Sequence, residues 1–359
     1  MSSNKYLLFF LASTFFFACG ESDVDKPIYQ YHFETGAYVE AGRNEIFLIC
    51  PSKEVDGTWI CEYTVALNPD NCLSVQAPNL AGTFRILFME NSGRTDTIQV
   101  LVEQSYIQMG DYSHRVWTTD KKYDMRFGSA WRCSGDECWE ITRQEIERDG
   151  RYENRSYSQP LIVDKTKLTM GDALYYHKMD TSIITHWTFE SDEYKNKKLE
   201  GSNLPLIDVN QYNSWRLANK RSKKEGLDTV YYINDSGLAI DTSASGYRLP
   251  FKEEWLLLMR AGASTRYYWG EDSSKVSRYE WVSPIGLKPV AQRLPNGFGL
   301  YDMAGIADEW VHSGSWGFVL SCGDLSPDCT IINKIRPREN YKGLRLLRKT
   351  PKLYKLEKF

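Results

Sequence analysis

Short apolar runs broken by turn-forming residues set the pattern of the first hundred positions. Residues 46–50, 58–65, 83–88 and 95–102 are rich in β-branched and aromatic side chains. Asp56-Gly57, Asn68-Pro69-Asp70-Asn71, Ala81-Gly82 and Asn91-Ser92-Gly93 separate them. Regularly spaced short strands with such turns predict a small all-β sandwich of immunoglobulin-like type over 28–103. From Tyr106 onward the periodicity weakens. Leu161-Ile162-Val163 reads as a strand, and residues 170–179 as a short helix capped by Thr169. Residues 210–225 place Tyr212, Trp215, Leu217 and Ala218 on an apolar face. They end in Lys220-Arg221-Ser222-Lys223-Lys224, cations suited to a helix C-terminus, before a stop at Gly226. That basic run reads as a solvated helix face. A further helix is predicted over 251–260, stopped by Ala261-Gly262-Ala263. Arg248, just before it, faces two readings: a buried ion-pair centre, or a surface pair of little value.

Neither helical nor strand periodicity explains residues 295–310, P-N-G-F-G-L-Y-D-M-A-G-I-A-D-E-W. Glycines at 297, 299 and 305 imply positive φ or close backbone approach. Phe298, Leu300, Tyr301, Met303 and Trp310 can bury such a loop, with Asn296, Asp302 and Glu309 as its polar members. Irregular backbone locked by aromatic packing is the structure that carries sites on loops. Taken alone, the stretch reads first as packed structure without chemistry.

The length of 359 residues allows two or three domains. A net charge of −3 gives no reason to expect nucleic acid as a partner. Aromatics make up 14% of the chain; most belong in cores, and any exposed ones could stack on sugars or peptides. At the start, Lys5 precedes an apolar run over 6–17 that is short for a membrane span. The run ends at Phe17-Ala18-Cys19-Gly20, which resembles a bacterial lipobox, although Phe16 stands where leucine is preferred. The resemblance implies a signal peptide over 1–18 and lipidation at Cys19, followed by a tether over 19–27. It also implies an exported protein, lipid-anchored to the bacterial cell envelope at the outer membrane and holding the membrane without spanning it.

Eight cysteines fit an oxidising compartment. Cys133 and Cys138 are close enough to bridge locally, as are Cys322 and Cys329. Cys50, Cys61 and Cys72 offer one bridge and one leftover thiol, with the choice open. No pair has the C-x-x-C form of a zinc site. The histidines at 32, 114, 177, 186 and 312 are scattered and show no ligand spacing.

An ordered series of motifs runs through the second part of the chain. Q-M-G stands at 108–110, I-V-D-K-T-K-L-T at 162–169, L-I-D-V-N-Q-Y at 206–212 and G-L-D-T-V-Y at 226–231. G-Y-R-L-P-F-K-E-E-W follows at 246–255, Y-Y-W-G-E at 267–271 and N-G-F-G-L-Y-D-M-A-G at 296–305. Ser313-Gly314-Ser315-Trp316 and Gly343-Leu344-Arg345-Leu346 close the series. Over 105–348 it resembles the formylglycine-generating enzyme family, also called sulfatase-modifying factors. The resemblance implies an α+β, C-type-lectin-like fold with short strands, few helices and long ordered loops. It implies a structural calcium held by backbone at Ala304, Gly305 and Ala307 and by the Glu309 carboxylate, oxygen ligands suited to that hard ion. Glu309 could instead pair with an arginine in the loop core. A second family calcium finds no match at Arg278-Tyr279-Glu280-Trp281 and is expected to be lost.

Active members of that family oxidise a substrate cysteine with O₂ and copper held by two thiolates in a C-x-x-x-x-C pattern. Soft thiolates are the right ligands for Cu(I). Counted from Ser315, those positions fall at Phe318 and Gly323, and neither is cysteine. Cys322 and Cys329 have a different spacing and read as a local disulfide, or, under an oxidase reading, as alternative copper ligands. Ser315 and Trp310 match the family's cleft residues. The expected function is a non-catalytic lipoprotein that binds an envelope protein or glycan or serves envelope assembly. The alternatives are a formylglycine-generating oxidase and a carbohydrate-binding module using Trp269 and Trp316. The basic tail over 349–359, with Arg345 and Arg348 before it, is expected to be solvated.

Overall fold

The computed structural model describes residues 27–31, 36–51, 56–108, 113–118, 124–126, 129–134, 137–141, 151–156, 159–177, 202–207, 209–234, 237–281, 287–305, 308–313, 316–320 and 342–358. Over 113–156 and 316–320 the description is of backbone pairing. The expected signal peptide, Cys19 and the expected tether up to residue 26 lie outside these residues, as do Ala307, Ser315, Cys322 and Cys329.

The first strands are β1 (Ile28–Tyr31), β2 (Ala37–Ala41), β3 (Ile46–Pro51), β4 (Gly57–Ile60), β5 (Thr64–Leu67), β6 (Leu73–Gln76), β7 (Gly82–Glu90) and β8 (Thr95–Val102). They are followed by β9 (Gln104–Ile107), β10 (Ser113–Thr118), β11 (Asp124–Arg126), β12 (Ser129–Ser134), β13 (Glu137–Ile141), β14 (Arg151–Ser156) and β15 (Leu161–Asp164). Helices α1 (Met170–His177) and α2 (Gln211–Lys224) lead to the hairpin β16 (Tyr231–Asn234) and β17 (Gly237–Ile240). Helices α3 (Lys252–Arg260) and α4 (Val276–Tyr279) come next, and then β18 (Asp308–Ser313) and β19 (Trp316–Leu320). The chain closes with β20 (Lys342–Gly343), β21 (Leu347–Lys349), β22 (Tyr354–Lys355) and β23 (Glu357–Lys358). The result is a mixed, sheet-rich fold with few helices.

Two five-stranded sheets form the N-terminal layer pair, ordered β23-β1-β3-β6-β5 and β22-β2-β8-β7-β4. Phe47, Ile49, Leu73 and Val75 of one sheet share a buried core with Val39, Ile86, Phe88, Ile98 and Val100 of the other. Alternation of apolar residues along each strand puts them on the facing sides. The stretch 58–65, expected as one strand, is two: β4 and β5 belong to different sheets, with a turn at 62–63 between them. The Thr64 hydroxyl donates to the Cys61 carbonyl at 3.0 Å across that turn. Cys50 is bridged to Cys72, joining the end of β3 to the start of β6, and Cys61 keeps its thiol. β12 and β13 place Cys133 and Cys138 directly opposite each other in register.

The C-terminal tail is not a solvated appendage. β22 runs parallel to β2 and β23 antiparallel to β1, so the last residues complete both sheets. Leu353 and Leu356 are buried beneath them. Arg345 and Arg348 are buried as well, because oxygens of three chain segments surround the first guanidinium, and Thr83 and Gln99 accept from the second.

Beyond the sandwich, β15 is the centre of a three-stranded sheet, β21-β15-β9, and β18 the centre of another, β19-β18-β20. Thr169 starts α1, its hydroxyl accepting from Asp172 N–H at 3.1 Å. Asn210 caps α2 by accepting from Asn213 N–H at 2.8 Å. The expected basic, solvated end of α2 is corrected at Arg221, which is fully buried. Its Nη1 lies 2.7 Å from Asp164 and its Nε 3.0 Å from Glu225. Arg248 is the buried alternative, held by both oxygens of Glu254 at 2.7 and 2.8 Å.

Candidate functional site

Asn296 ties the start of the loop over 295–310 to the end of α3. Asn296 Nδ2 donates to the Leu258 carbonyl at 2.7 Å and the Met259 carbonyl at 3.2 Å, satisfying helix-end acceptors. Its Oδ1 accepts from the N–H groups of Phe298 and Leu300. Gly299 has φ +75, and a Cβ at Gly305 would meet Glu280 Oε2 at 2.9 Å, so a turn and a close approach account for these two glycines. Asp302 adopts φ 55, the left-handed region that asparagine and aspartate tolerate best.

Glu309, on β18, is the centre of the loop's charge. Its side chain is 1% exposed, as is that of Lys167, and Arg345 is 0% exposed. Glu309 Oε1 is 3.0 Å from Lys167 Nζ and 3.1 Å from Arg345 Nη2. Oε2 accepts from Trp255 Nε1 at 2.8 Å. Burial alone would push the Glu309 carboxyl up; the Arg345 guanidinium and the Lys167 ammonium outweigh it and hold the group below its ordinary value. Arg345 also donates to the carbonyls of Asp164, Lys165 and Tyr301, so its fork ties β15, the loop and the C-terminal segment together.

Two of the oxygens expected to hold calcium, the Glu309 carboxylate and the Gly305 carbonyl, are therefore engaged by protein cations. The Gly305 carbonyl accepts from Lys167 Nζ at 3.0 Å, and the Asp302 carbonyl accepts from the same nitrogen. Ala304 contributes an N–H, which donates to Glu280 Oε1 at 2.8 Å. These residues do not fit a bound calcium: an ammonium already fills the point on which they converge. Among the described residues no group of three or more His, Cys, Asp or Glu could hold a metal ion. Sequence reasoning missed Lys167, because nothing in the local pattern ties position 167 to a loop 135 residues away.

Trp310 is anchored in the wall beside the loop, its Nε1 donating to the Val209 carbonyl at 2.5 Å. Trp269 is stacked against Tyr267 and Tyr279, with centroids 4.9 and 5.5 Å away, so its ring is engaged in an aromatic pile. On β18, His312 Nε2 lies 2.7 Å from the Tyr231 hydroxyl, which accepts from Leu249 N–H at 2.9 Å. Phe318, at the first expected thiolate position, sits in β19 paired with Val311. A cleft of about 350 Å³ opens where the sandwich meets the loop, lined by Glu40, Tyr106, Lys165, Phe298 and Tyr301 among others. A Lys165–Glu40 ion pair of 3.3 Å bridges it.

Two buried groups give the site a pH signature. Burial pushes the Glu280 carboxyl from 4.5 up to about 7, against the opposing pull of Tyr268, Ala304 N–H and Lys167. Between those values the folded chain holds a proton that the unfolded chain has lost, so this contribution fades as pH rises toward 7. Burial, with Arg248 nearby, lowers His312 from 6.5 to about 4. There the unfolded chain binds the extra proton, so this contribution is full above 6.5 and is lost as pH falls toward 4. The two slopes oppose each other across the shared window. Glu280→Gln is expected to leave the histidine slope alone, so that stability in urea rises more steeply with pH from 5 to 7 than in the unaltered chain, by about 1–3 kcal/mol. Parallel slopes in the two proteins would refute this assignment.

The sulfatase-modifying factor enzyme 1-like domain family matches residues 117–321. A curated relative, named chaperone protein LppX, from Paenibacillus barcinonensis, is 28% identical over 146 residues, covering 31% of this chain. The chain spans about half the length of that relative, 52%. Among solved structures, Treponema denticola variable protein 1 is similar with a TM-score of 0.43 and 18% identity, over 69% of this chain and 99% of that one. CarF gives a TM-score of 0.41 and 18% identity over 67% of this chain and 99% of its own. PvdO from Pseudomonas aeruginosa gives 0.39 and 17% over 56% and 85%.

Proposed function

Because the chain belongs to the sulfatase-modifying factor enzyme 1-like domain family, we propose that it is a non-catalytic member, exported and lipid-anchored through Cys19, which binds a protein partner in the bacterial envelope. The observation that carries this reading is Phe318: where the family's oxidases need the first copper thiolate, this chain has a phenylalanine in β19, paired with Val311. A phenyl ring cannot ligate Cu(I). The second position, Gly323, has no side chain to offer. A relative named as a chaperone supports a polypeptide as the partner. Among the described residues no helix is long and apolar enough to cross a membrane. A glycan is the second reading, favoured by the cleft at the sandwich–loop junction, whose tyrosines, phenylalanine and ion pair offer both stacking and polar contacts.

The test is incubation of the soluble chain with Cu(I), O₂ and a cysteine-containing sulfatase peptide, followed by mass spectrometry. The peptide is expected to keep its thiol, and a non-reducing peptide map to show Cys322 bridged to Cys329. Conversion of the peptide to the aldehyde, lost on Cys322→Ser, would replace this reading by the oxidase one.

A further inference from the structure

We infer that the Lys167 ammonium is a built-in substitute for a structural divalent cation, so that the loop is fixed without one. An ammonium has three N–H donors. Here three acceptors meet them: the Asp302 carbonyl, the Gly305 carbonyl at 3.0 Å and Glu309 Oε1 at 3.0 Å. Two are backbone oxygens of one loop and the third is a carboxylate, the donor set that hard cations take. The loop is shaped to aim them. Asp302 is held in the left-handed region, and the close approach of Gly305 to Glu280 leaves no room for a Cβ.

Lys167 reaches this point from the segment after β15, so it does what a bound metal would do: it fixes an irregular loop to a distant strand. It does so from within the chain and independently of the ion content of the surroundings. A calcium ion beside it would share the same three oxygens with an ammonium and would also face Arg345, which already neutralises Glu309. Charge repulsion and the filled volume both oppose that.

The experiment is thermal melting of the soluble full chain with excess calcium chloride or with EDTA. The unaltered protein is expected to melt at the same temperature in both and to take up no calcium in equilibrium dialysis. Lys167→Met, which fills the space without charge, is expected to lower Tm by about 10 °C, as loss of one partner from a buried pair does. Lower melting of the unaltered chain in EDTA, calcium uptake by it, or a Lys167→Met protein that melts unchanged would each overturn the inference. Should that variant fail to fold, the unaltered chain still decides, through its response to the chelator and through amine acylation. Lys167 is expected to stay unlabelled in the native chain, and labelling there would overturn the inference.

Discussion

Replacing Glu309 with alanine is expected to prevent the chain from folding at physiological temperature. The carboxylate is the ion-pair partner of two buried cations, Lys167 at 3.0 Å and Arg345 at 3.1 Å. Removing it strands both, and breaking one buried pair typically costs about 3–5 kcal/mol. The Trp255 indole N–H would lose its acceptor too. Domains are stable by only about 5–15 kcal/mol, so a loss of about 5 kcal/mol or more takes up most of that margin. The yield of soluble, monodisperse protein is the first readout. Glu309→Gln keeps the indole bond and the shape and should be milder. Pairing it with Lys167→Met removes one stranded cation, so the double variant should unfold at a higher urea concentration than Glu309→Gln alone. Glu309→Ala protein that folds with unchanged stability would show that the cluster contributes nothing to the fold.

Arg221→Met should lower stability by about 4 kcal/mol, for the same reason at a different junction. Arg221 is fully buried, with its guanidinium 4.0 Å above the Tyr247 ring and 5.3 Å from that of Tyr176. It joins α2 to β15 through Asp164, while Glu225, the residue that caps the end of α2, accepts from Thr83 N–H of β7 at 3.3 Å. Gln104 completes the network, donating to Asp164 at 3.0 Å and accepting from the Thr83 hydroxyl at 2.8 Å. Methionine would fill the slot but leave Asp164 without its cation. A melting temperature lower by about 10 °C is the expected result. Arg221→Lys should not restore it, because an ammonium cannot reach both carboxylates and stack on tyrosine. Full recovery by lysine would mean that charge alone matters there.

Some of this was legible in the chain. Helices α2 and α3 could be placed because their apolar period, caps and stops are local: Asn210 and Gly226 do in the structure what their residue types favour, while Ala261 ends α3 in the left-handed region that alanine seldom adopts. The loop glycines were legible for the same reason. The burial of Arg345, Arg348 and Arg221 was not. A basic residue near an end or on a helix looks solvated unless its acceptors are known, and the acceptors of Arg345 lie up to 181 residues away. The division of 58–65 into strands of two sheets was hidden as well. A strand-like composition does not say which sheet will take it, and a turn of two residues leaves little mark.

The sequence by itself determined the family of the second part, the apolar faces of its helices, and the absence of cysteine at Phe318 and Gly323. Those depend on residue identity and short spacing, which the chain carries directly. Only the tertiary structure decided that Cys50 pairs with Cys72, that the tail strands finish the N-terminal sheets, and that Lys167 stands among the oxygens of the 295–310 loop. Each of these is a meeting of segments far apart in the chain. Such meetings are fixed by burial of shared apolar surface and by the need to pair every buried charge, conditions that no local stretch of sequence can state.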